Sequence, residues 1–152
     1  MIHFATNTTV AVDRSKVEIE RILTRYGAEQ FMSGWREGQA VIAFRLNNRL
    51  VRFTLPLPDK TSNEFRLTAT GRPRHNSADI EKLWEQACRQ RWRALALTIK
   101  AKLEAIECGI ATFEEEFLAH IVLPSGKGTV KDWLLPQIQK AYETGKMPAL
   151  IE

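Results

Sequence analysis

The hydrophobic residues near the N-terminus recur with the period of an α-helix. Four of them fall on one helical face: Ile19, Ile22, Leu23 and Tyr26. Asp13 is a favourable N-cap for this segment, and Gly27 is suited to end it in the left-handed conformation. Ser15 with Glu18 offers a capping box slightly later. The pattern therefore predicts a helix that begins at Asp13 or Ser15 and ends at Gly27, with a short strand before it over residues 8–12.

Residues 30–57 alternate between hydrophobic and polar with the period of a β-strand, and two pairs of turn residues interrupt the alternation. These pairs are Glu37-Gly38 and Asn47-Asn48, and asparagine tolerates the positive φ that a tight hairpin requires. We therefore expect a three-stranded antiparallel meander. Its inner face is expected to hold Phe31, Trp35, Ile42, Phe44, Leu46, Val51, Phe53 and Leu55, with Phe44 opposite Val51 and Ile42 opposite Phe53.

The other face of the meander mixes apolar residues with arginine. It carries Met32, Gly34, Val41, Ala43, Arg45, Leu50, Arg52 and Thr54. Such a surface is too apolar for simple solvent exposure and too charged for a core. It therefore predicts self-association into a homo-oligomer.

The segment 56–77 is a long loop, rich in basic residues and without strong periodicity, and loops of this length are often functional. Within it, residues 64–68 are a candidate fourth strand at the edge of the sheet. A long helix is then predicted over residues 78–108, with its N-cap at Asn76 or Ser77.

The long helix has two distinct faces. At 100° per residue, four basic side chains lie within about 20° of one line: Lys82, Arg89, Arg93 and Lys100. The apolar face holds Trp84, Cys88, Trp92, Leu95, Ile99, Leu103 and Ile106. Arg91 falls between apolar positions, so we expect it to be buried and paired, because an unpaired buried charge costs several kcal/mol.

Residues 110–152 are predicted to form a helical C-terminal subregion. A helix begins after Thr112, a small hairpin is expected over 121–130, and a last helix covers about 131–144. The whole chain, residues 1–152, is predicted to be a single α+β domain. In it the meander packs against the N-terminal helix and the long central helix.

The 152 residues carry a net charge of +4, and the charge is unevenly distributed. Residues 1–100 hold 17 basic and 10 acidic side chains, whereas residues 101–152 hold 5 basic and 8 acidic ones. Most of the basic residues in the first part are arginines, which suit bidentate contacts to phosphate. A basic N-terminal part and an acidic C-terminal part favour a polyanionic partner or an oriented self-association.

The cysteines and the hydropathy pattern bear on the compartment. Cys88 and Cys108 lie on one predicted helix, roughly 30 Å apart, so they are too distant to form a disulfide. No apolar run approaches the length of a membrane span, and the N-terminal residues turn polar at once. The sequence therefore predicts a cytoplasmic protein without a membrane partner.

Motifs for catalysis and metal binding are largely missing from the sequence. The stretch Ser125-Gly126-Lys127-Gly128-Thr129 resembles half of a phosphate loop but lacks the upstream glycine and has no Thr directly after the lysine. Glu116 and His120 share a helical face, but two ligands do not hold zinc, so a solvated ion pair is the favoured interpretation. We assign no catalytic residue, no metal site and no cofactor, and an enzymatic role is the less favoured one.

Arginine beside aromatic residues is the strongest functional signal. Arg89 and Arg93 flank Trp92 and lie on the outward side of the long helix. The simpler interpretation is a solvated polar face over a tryptophan core, with Trp35 and Trp133 also in the core. The alternative is a phosphate-binding stripe. Its candidate nucleic-acid-binding residues are Arg45, Arg52, Arg72, Arg74, Lys82, Arg89, Arg93 and Lys100.

Three segments carry a resemblance to known sequences: RWRALALTIKAKLEA at 91–105, TFEEEFLAHIVLP at 112–124 and RYGA at 25–28. They resemble small uncharacterised proteins encoded by bacteriophages and prophages, which implies a phage context and a bacterial host. The order of helix, meander and long basic helix is also similar to the core of phage single-strand annealing proteins of the Rad52-like type. It is similar as well to the order of elements in double-stranded-RNA-binding domains. The likenesses to annealing proteins and to double-stranded-RNA-binding domains concern topology alone.

The favoured hypothesis is a phage accessory protein that binds nucleic acid, DNA in particular, mainly through the phosphate backbone. Recombination or single-strand annealing is the expected context. The alternative is a protein-binding module that inhibits a host factor or an antiviral defence system, in which Arg45 and Arg52 contact an acidic protein surface.

Overall fold

A computed structural model describes residues 2–36 and 38–147 of this chain. Its elements follow in the order α1 (Ile2–Arg25), β1 (Gln30–Arg36), β2 (Gln39–Leu46), β3 (Arg49–Pro56), α2 (Asn63–Arg66), α3 (Ser77–Glu107), α4 (Phe113–Phe117), a 3₁₀ turn (Leu118–His120) and α5 (Val130–Thr144). Helices and one antiparallel sheet share a single core. The fold is α+β, with the N-terminal and long central helices that the sequence predicts.

The sheet is a meander in the order β1-β2-β3, with both pairs antiparallel. Phe44 lies opposite Val51 and Ile42 opposite Phe53, so the predicted register is confirmed. Asn47 and Asn48 have φ values of 50° and 58°, which are the positive angles required at both central positions of a type I′ turn. The turn chemistry and the alternation therefore select the same register.

The core lies between the inner face of the sheet and the helices α1 and α3. Ile19 and Leu23 of α1 and Ile99 of α3 are completely buried against it. Phe117 of α4 closes the core at one side, and its ring makes an edge-to-face contact with Phe44 at a centroid distance of 5.7 Å. Two helices and a sheet thus bury one common apolar surface, which fixes α1 and α3 side by side.

Helix α3 forms as its sequence predicts. The Asn76 side chain accepts a hydrogen bond from the backbone N–H of Ala78 at 3.0 Å, and Gly109 follows the helix with a φ of +76°. Six side chains of its apolar face are buried: Cys88, Trp92, Leu95, Ala96, Ile99 and Leu103.

Two predicted strands are wrong. Residues 8–12 belong to α1, which runs without a break because no glycine or proline interrupts its sequence. Residues 63–66 form the short helix α2, and Leu67 makes only an isolated bridge with Pro73. The helical turn buries Phe65 without needing a sheet partner.

Three side chains predicted to be buried are exposed. Arg91 lies at the surface, where it donates a hydrogen bond to the carbonyl of Pro56 at 3.3 Å. Trp35 is 80% exposed, although its register partner Ala40 is buried, because Trp35 lies near the end of the edge strand β1. Trp133 is 56% exposed on α5.

The C-terminal subregion is helical with one small hairpin, as predicted. Val122 and Thr129 form an antiparallel bridge, and Thr129 with Asp132 forms a capping box at the start of α5. Gly145 ends that helix with a φ of 70°. Within the described ranges, no helix combines the length and the apolarity that a membrane crossing needs.

Candidate nucleic-acid interface

A groove of about 580 Å³ runs between α1 and α3. Among the described side chains, three arginines line it, Arg14 from α1 and Arg89 and Arg93 from α3. The other described residues that line it are Ser15, Glu18, Gln86, Gln90, Ala96 and Leu97. Cationic and amide side chains from two neighbouring helices therefore converge on one concave surface.

The core fixes the orientation of the two arginines on α3. Arg89 and Arg93 are four residues apart, so they lie about 6 Å apart along the helix axis on the same side. Between them Trp92 points into the core, where it is 3% exposed, and the ammonium of Lys16 lies 5.3 Å from its ring centroid. Burial of Trp92 therefore holds the arginines at the groove.

Carboxylates partly offset the positive charge of the groove. Glu18 belongs to its lining, and the Oε2 of Glu85 lies 3.9 Å from the NH1 of Arg89. Within the described part of the chain, Arg14 and Arg93 have no carboxylate partner. These two guanidinium groups are therefore available to an anionic ligand. At Arg89 a ligand anion would have to replace the carboxylate of Glu85.

Lys82 and Lys100 extend the same line along α3. Both side chains are exposed, and neither belongs to the lining of the groove. Lys82 lies one turn before Gln86, and Lys100 lies three residues after Leu97. Positive charge thus continues along α3 on both sides of the residues that line the groove.

The arginines of the sheet lie on a different surface. The guanidinium of Arg52 is 4.0 Å from the carboxylate of Asp132. Arg45 lines a separate pocket of about 450 Å³ together with Arg49, Leu50 and residues of the 121–126 turn. Because α1 and α3 cover the inner face of the sheet, the outward-pointing Arg45 and Arg52 do not reach the groove between these helices.

Arg72 and Arg74 lie on the loop that precedes α3, outside the lining of the groove. Backbone hydrogen bonds fold this loop back on itself, from Thr68 N–H to the Arg72 carbonyl at 2.8 Å and from Arg74 N–H to the Arg66 carbonyl at 2.7 Å. Arg72 is exposed and Arg74 is half-buried. The eight predicted residues therefore divide among the α3 stripe, this loop and the sheet.

The sequence patterns do not identify Arg14 or the amides Gln86 and Gln90 as groove residues. With an N-cap at Asp13, Arg14 falls in the first turn of the predicted helix, where no local pattern indicates a neighbour on α3. Arg14 and Glu18 are one turn apart and share a face of α1, which is the only signal that the sequence offers. Only the packing of α1 on α3 shows that this face borders the groove.

His120 and Glu116 do not form the predicted ion pair. The imidazole stacks on the ring of Phe53 at a centroid distance of 4.0 Å, and Glu116 instead contacts the ammonium of Lys102 at 3.6 Å. Burial, with the nearby charges of Lys131 and Lys102, lowers the pKa of His120 to about 4. Among residues 2–36 and 38–147, no three metal-binding side chains cluster.

No family model, curated protein or solved structure matches this chain. The functional argument therefore depends on the residues and their geometry.

Proposed function

We propose that this protein binds DNA, mainly through the phosphate backbone, in the groove between α1 and α3. The observation that carries the proposal is the convergence of Arg14, Arg89 and Arg93 on one groove. Guanidinium groups suit phosphate because their planar forks donate paired hydrogen bonds. The role is that of a phage accessory protein in the cytoplasm of a bacterial host, acting in recombination or single-strand annealing.

The polar neighbours of the arginines support the same function. Ser15, Gln86 and Gln90 add hydroxyl and amide donors that contact phosphate or sugar without reading the base sequence. Glu18 and Glu85 reduce the net positive charge. We therefore expect moderate affinity, weak sequence preference and a clear dependence on salt.

The test is a salt titration of binding to a labelled oligonucleotide, in single-stranded and double-stranded form, from roughly 50 to 200 mM salt. The variant is Arg89→Gln with Arg93→Gln. Each lost phosphate contact lowers the salt slope by about 0.7 for a single strand and about 0.9 for a duplex. The double variant should therefore bind more weakly and reduce the slope by about 1.4 to 1.8.

The matched control is Arg45→Gln with Arg49→Gln, which removes two positive charges from the other pocket. We expect this control to retain the wild-type salt slope. Binding that is indifferent to salt, or an equal loss of slope in both double variants, would contradict the proposed site.

A second candidate function is binding to a host protein, as an inhibitor of a host factor or a defence system. The pocket at Arg45 and Arg49 favours it, because apolar side chains such as Leu50 and Val122 lie beside the arginines there. That combination suits an acidic protein surface with apolar side chains. In host lysate treated with nuclease, the partner should stay bound to the wild type and to the variant Arg89→Gln with Arg93→Gln, but not to the variant Arg45→Gln with Arg49→Gln.

A further inference from the structure

The two edges of the sheet differ in what covers them. At the β3 edge, the backbone N–H of Val122 donates to the carbonyl of Leu50 at 2.8 Å, and Ile121 bridges to Val51. At the β1 edge, none of the described elements pairs with the strand. An uncovered edge presents backbone donors and acceptors that can pair with another strand.

Two hydrogen bonds establish which residues of β1 direct their backbone N–H and C=O groups away from β2, toward the free edge. The Leu50 carbonyl points away from β2 because it accepts from Val122, so its cross-strand partner Arg45 directs its own backbone groups toward β1. In agreement, the Arg45 carbonyl accepts from the N–H of Glu29 at 3.0 Å. Arg45 pairs with Gln30, so the backbone N–H and C=O of Gln30 point toward β2.

The direction of the backbone N–H and C=O groups alternates from one residue to the next along a strand. The groups of Met32 and Gly34 therefore also point toward β2, whereas those of the alternate residues point away from it. The N–H and C=O groups of Phe31, Ser33 and Trp35 therefore point to the free edge. Within the described ranges no other backbone or side chain bonds to them.

We propose that the β1 edge binds β1 of a second copy of this chain in antiparallel orientation, with Ser33 on the two-fold axis. In this register Ser33 lies opposite Ser33 of the second copy, and Phe31 lies opposite its Trp35. Every outward N–H and C=O of these three residues then has a counterpart, and the two meanders join into one continuous sheet. The interface is isologous, as expected for a two-fold dimer.

The side chains favour a second copy over an unrelated strand. Directly opposed residues share a face of the sheet, so the symmetric register forms two aromatic cross-strand pairs of Phe31 with Trp35. Trp35 is 80% exposed, so most of its ring is available for this contact. Strand β1 is thus complementary to itself.

Before its last residue, Arg36, the sequence of β1 also lacks the usual protection of an exposed edge. Residues 30–35 include no proline, lysine or other charged side chain, which are the residues that discourage edge-to-edge pairing. The symmetric register therefore brings no like charges together along these residues. None of the described side chains of β1, residues 30–35, lines the α1–α3 groove or the pocket at Arg45, so the dimer would keep both open.

The test measures the oligomeric state of the full chain by sedimentation velocity over a range of concentrations. Ser33→Pro removes an outward N–H, and proline is tolerated in an edge strand where the N–H faces solvent. Ser33→Ala is the matched control because it keeps the N–H. We expect a dimer for the wild type and Ser33→Ala, and a monomer for Ser33→Pro.

A second pair of variants tests the aromatic contacts without proline. Trp35→Ala should raise the dimer dissociation constant at least about tenfold, because both aromatic pairs are lost. Met32→Ala, on the opposite face of the same strand and 53% exposed, should change it little. A monomeric wild type, a dimer that survives Ser33→Pro, or equal effects of Trp35→Ala and Met32→Ala would overturn the proposal.

Discussion

Helices α3 and α5 are both amphipathic and both begin with a capping side chain, yet they differ in what they bury. Six side chains of α3 are buried, whereas none of α5 is. Four large apolar side chains of α5 remain exposed: Trp133, Leu135, Ile138 and Tyr142. An apolar face in the sequence therefore predicts a helix, but not how completely that face is covered.

The difference comes from the neighbours of each helix. Helix α3 packs against α1 and the sheet, which both carry apolar faces of their own. Helix α5 contacts mainly the 3₁₀ turn at Leu118–His120. The groove with Arg89 and Arg93 is therefore built on elements that the core holds in place, which is the arrangement that keeps a binding surface well defined.

The largest effect that we expect from this comparison is on the free energy of unfolding, when an isoleucine of one helix or the other is replaced by alanine. Ile99 of α3 is completely buried and Ile138 of α5 is 40% exposed. We expect Ile99→Ala to lower the free energy of unfolding by about 2–5 kcal/mol, because it leaves a cavity in the core. Ile138→Ala should cost less than about 1 kcal/mol. Urea denaturation of both variants measures this, and equal losses would contradict the difference between the helices.

An intermediate effect concerns His120, which joins the C-terminal subregion to β3 through its stacking on Phe53. Its pKa is about 4 in the folded protein, below its ordinary value of 6.5. Between these values the unfolded chain binds more protons, so stability falls as the pH drops. The stability that depends on a neutral His120 ring is fully present above about pH 6.5 and is lost by about pH 4. Because the ring is partly exposed, we expect a loss of about 1–3 kcal/mol.

Denaturation curves measured between pH 4 and 7 check this expectation. His120→Gln is the control, since it removes the titrating ring and should flatten the pH dependence in that window. A proton NMR titration in which His120 titrates near its ordinary pKa would refute the explanation.

The smallest effect concerns the caps of the two helices. Asn76 caps α3, and the Asp132 carboxylate accepts a hydrogen bond from the N–H of Thr129 at 3.0 Å at the start of α5. Replacing either by alanine should cost about 1 kcal/mol. The loss in Asn76→Ala should appear in global unfolding, because α3 belongs to the core. The loss in Asp132→Ala should appear mainly as faster hydrogen exchange along α5. Equal losses in global stability would instead show that α5 unfolds with the core.

The sequence predicts the meander and the central helix well because their signals are local. The pair Asn47-Asn48 supplies the turn, and alternation on both sides of it specifies the register. Asn76 starts α3, and the spacing of its apolar residues identifies the buried face. Each of these features depends on residues a few positions apart, and so a single sequence contains them.

The candidate site is less predictable because it depends on distant contacts. The basic stripe of α3 is visible in the sequence, but its partner Arg14 comes from a helix far away along the chain. The same limit explains the errors at Trp35 and Arg91. Periodicity assigns a side chain to a face, whereas only the neighbouring elements determine whether that part of the face is covered.

The amino-acid sequence by itself determines the hairpin register, the limits and apolar face of α3, and the line of positive charge along that helix. Each follows from backbone sterics and from the fixed periods of helices and strands. Only the tertiary structure decided that Arg14 joins Arg89 and Arg93, that Arg45 and Arg52 lie elsewhere, and that no described element pairs with the outer edge of β1. Those outcomes depend on which apolar surfaces meet when the chain folds, and that is a property of the packed whole.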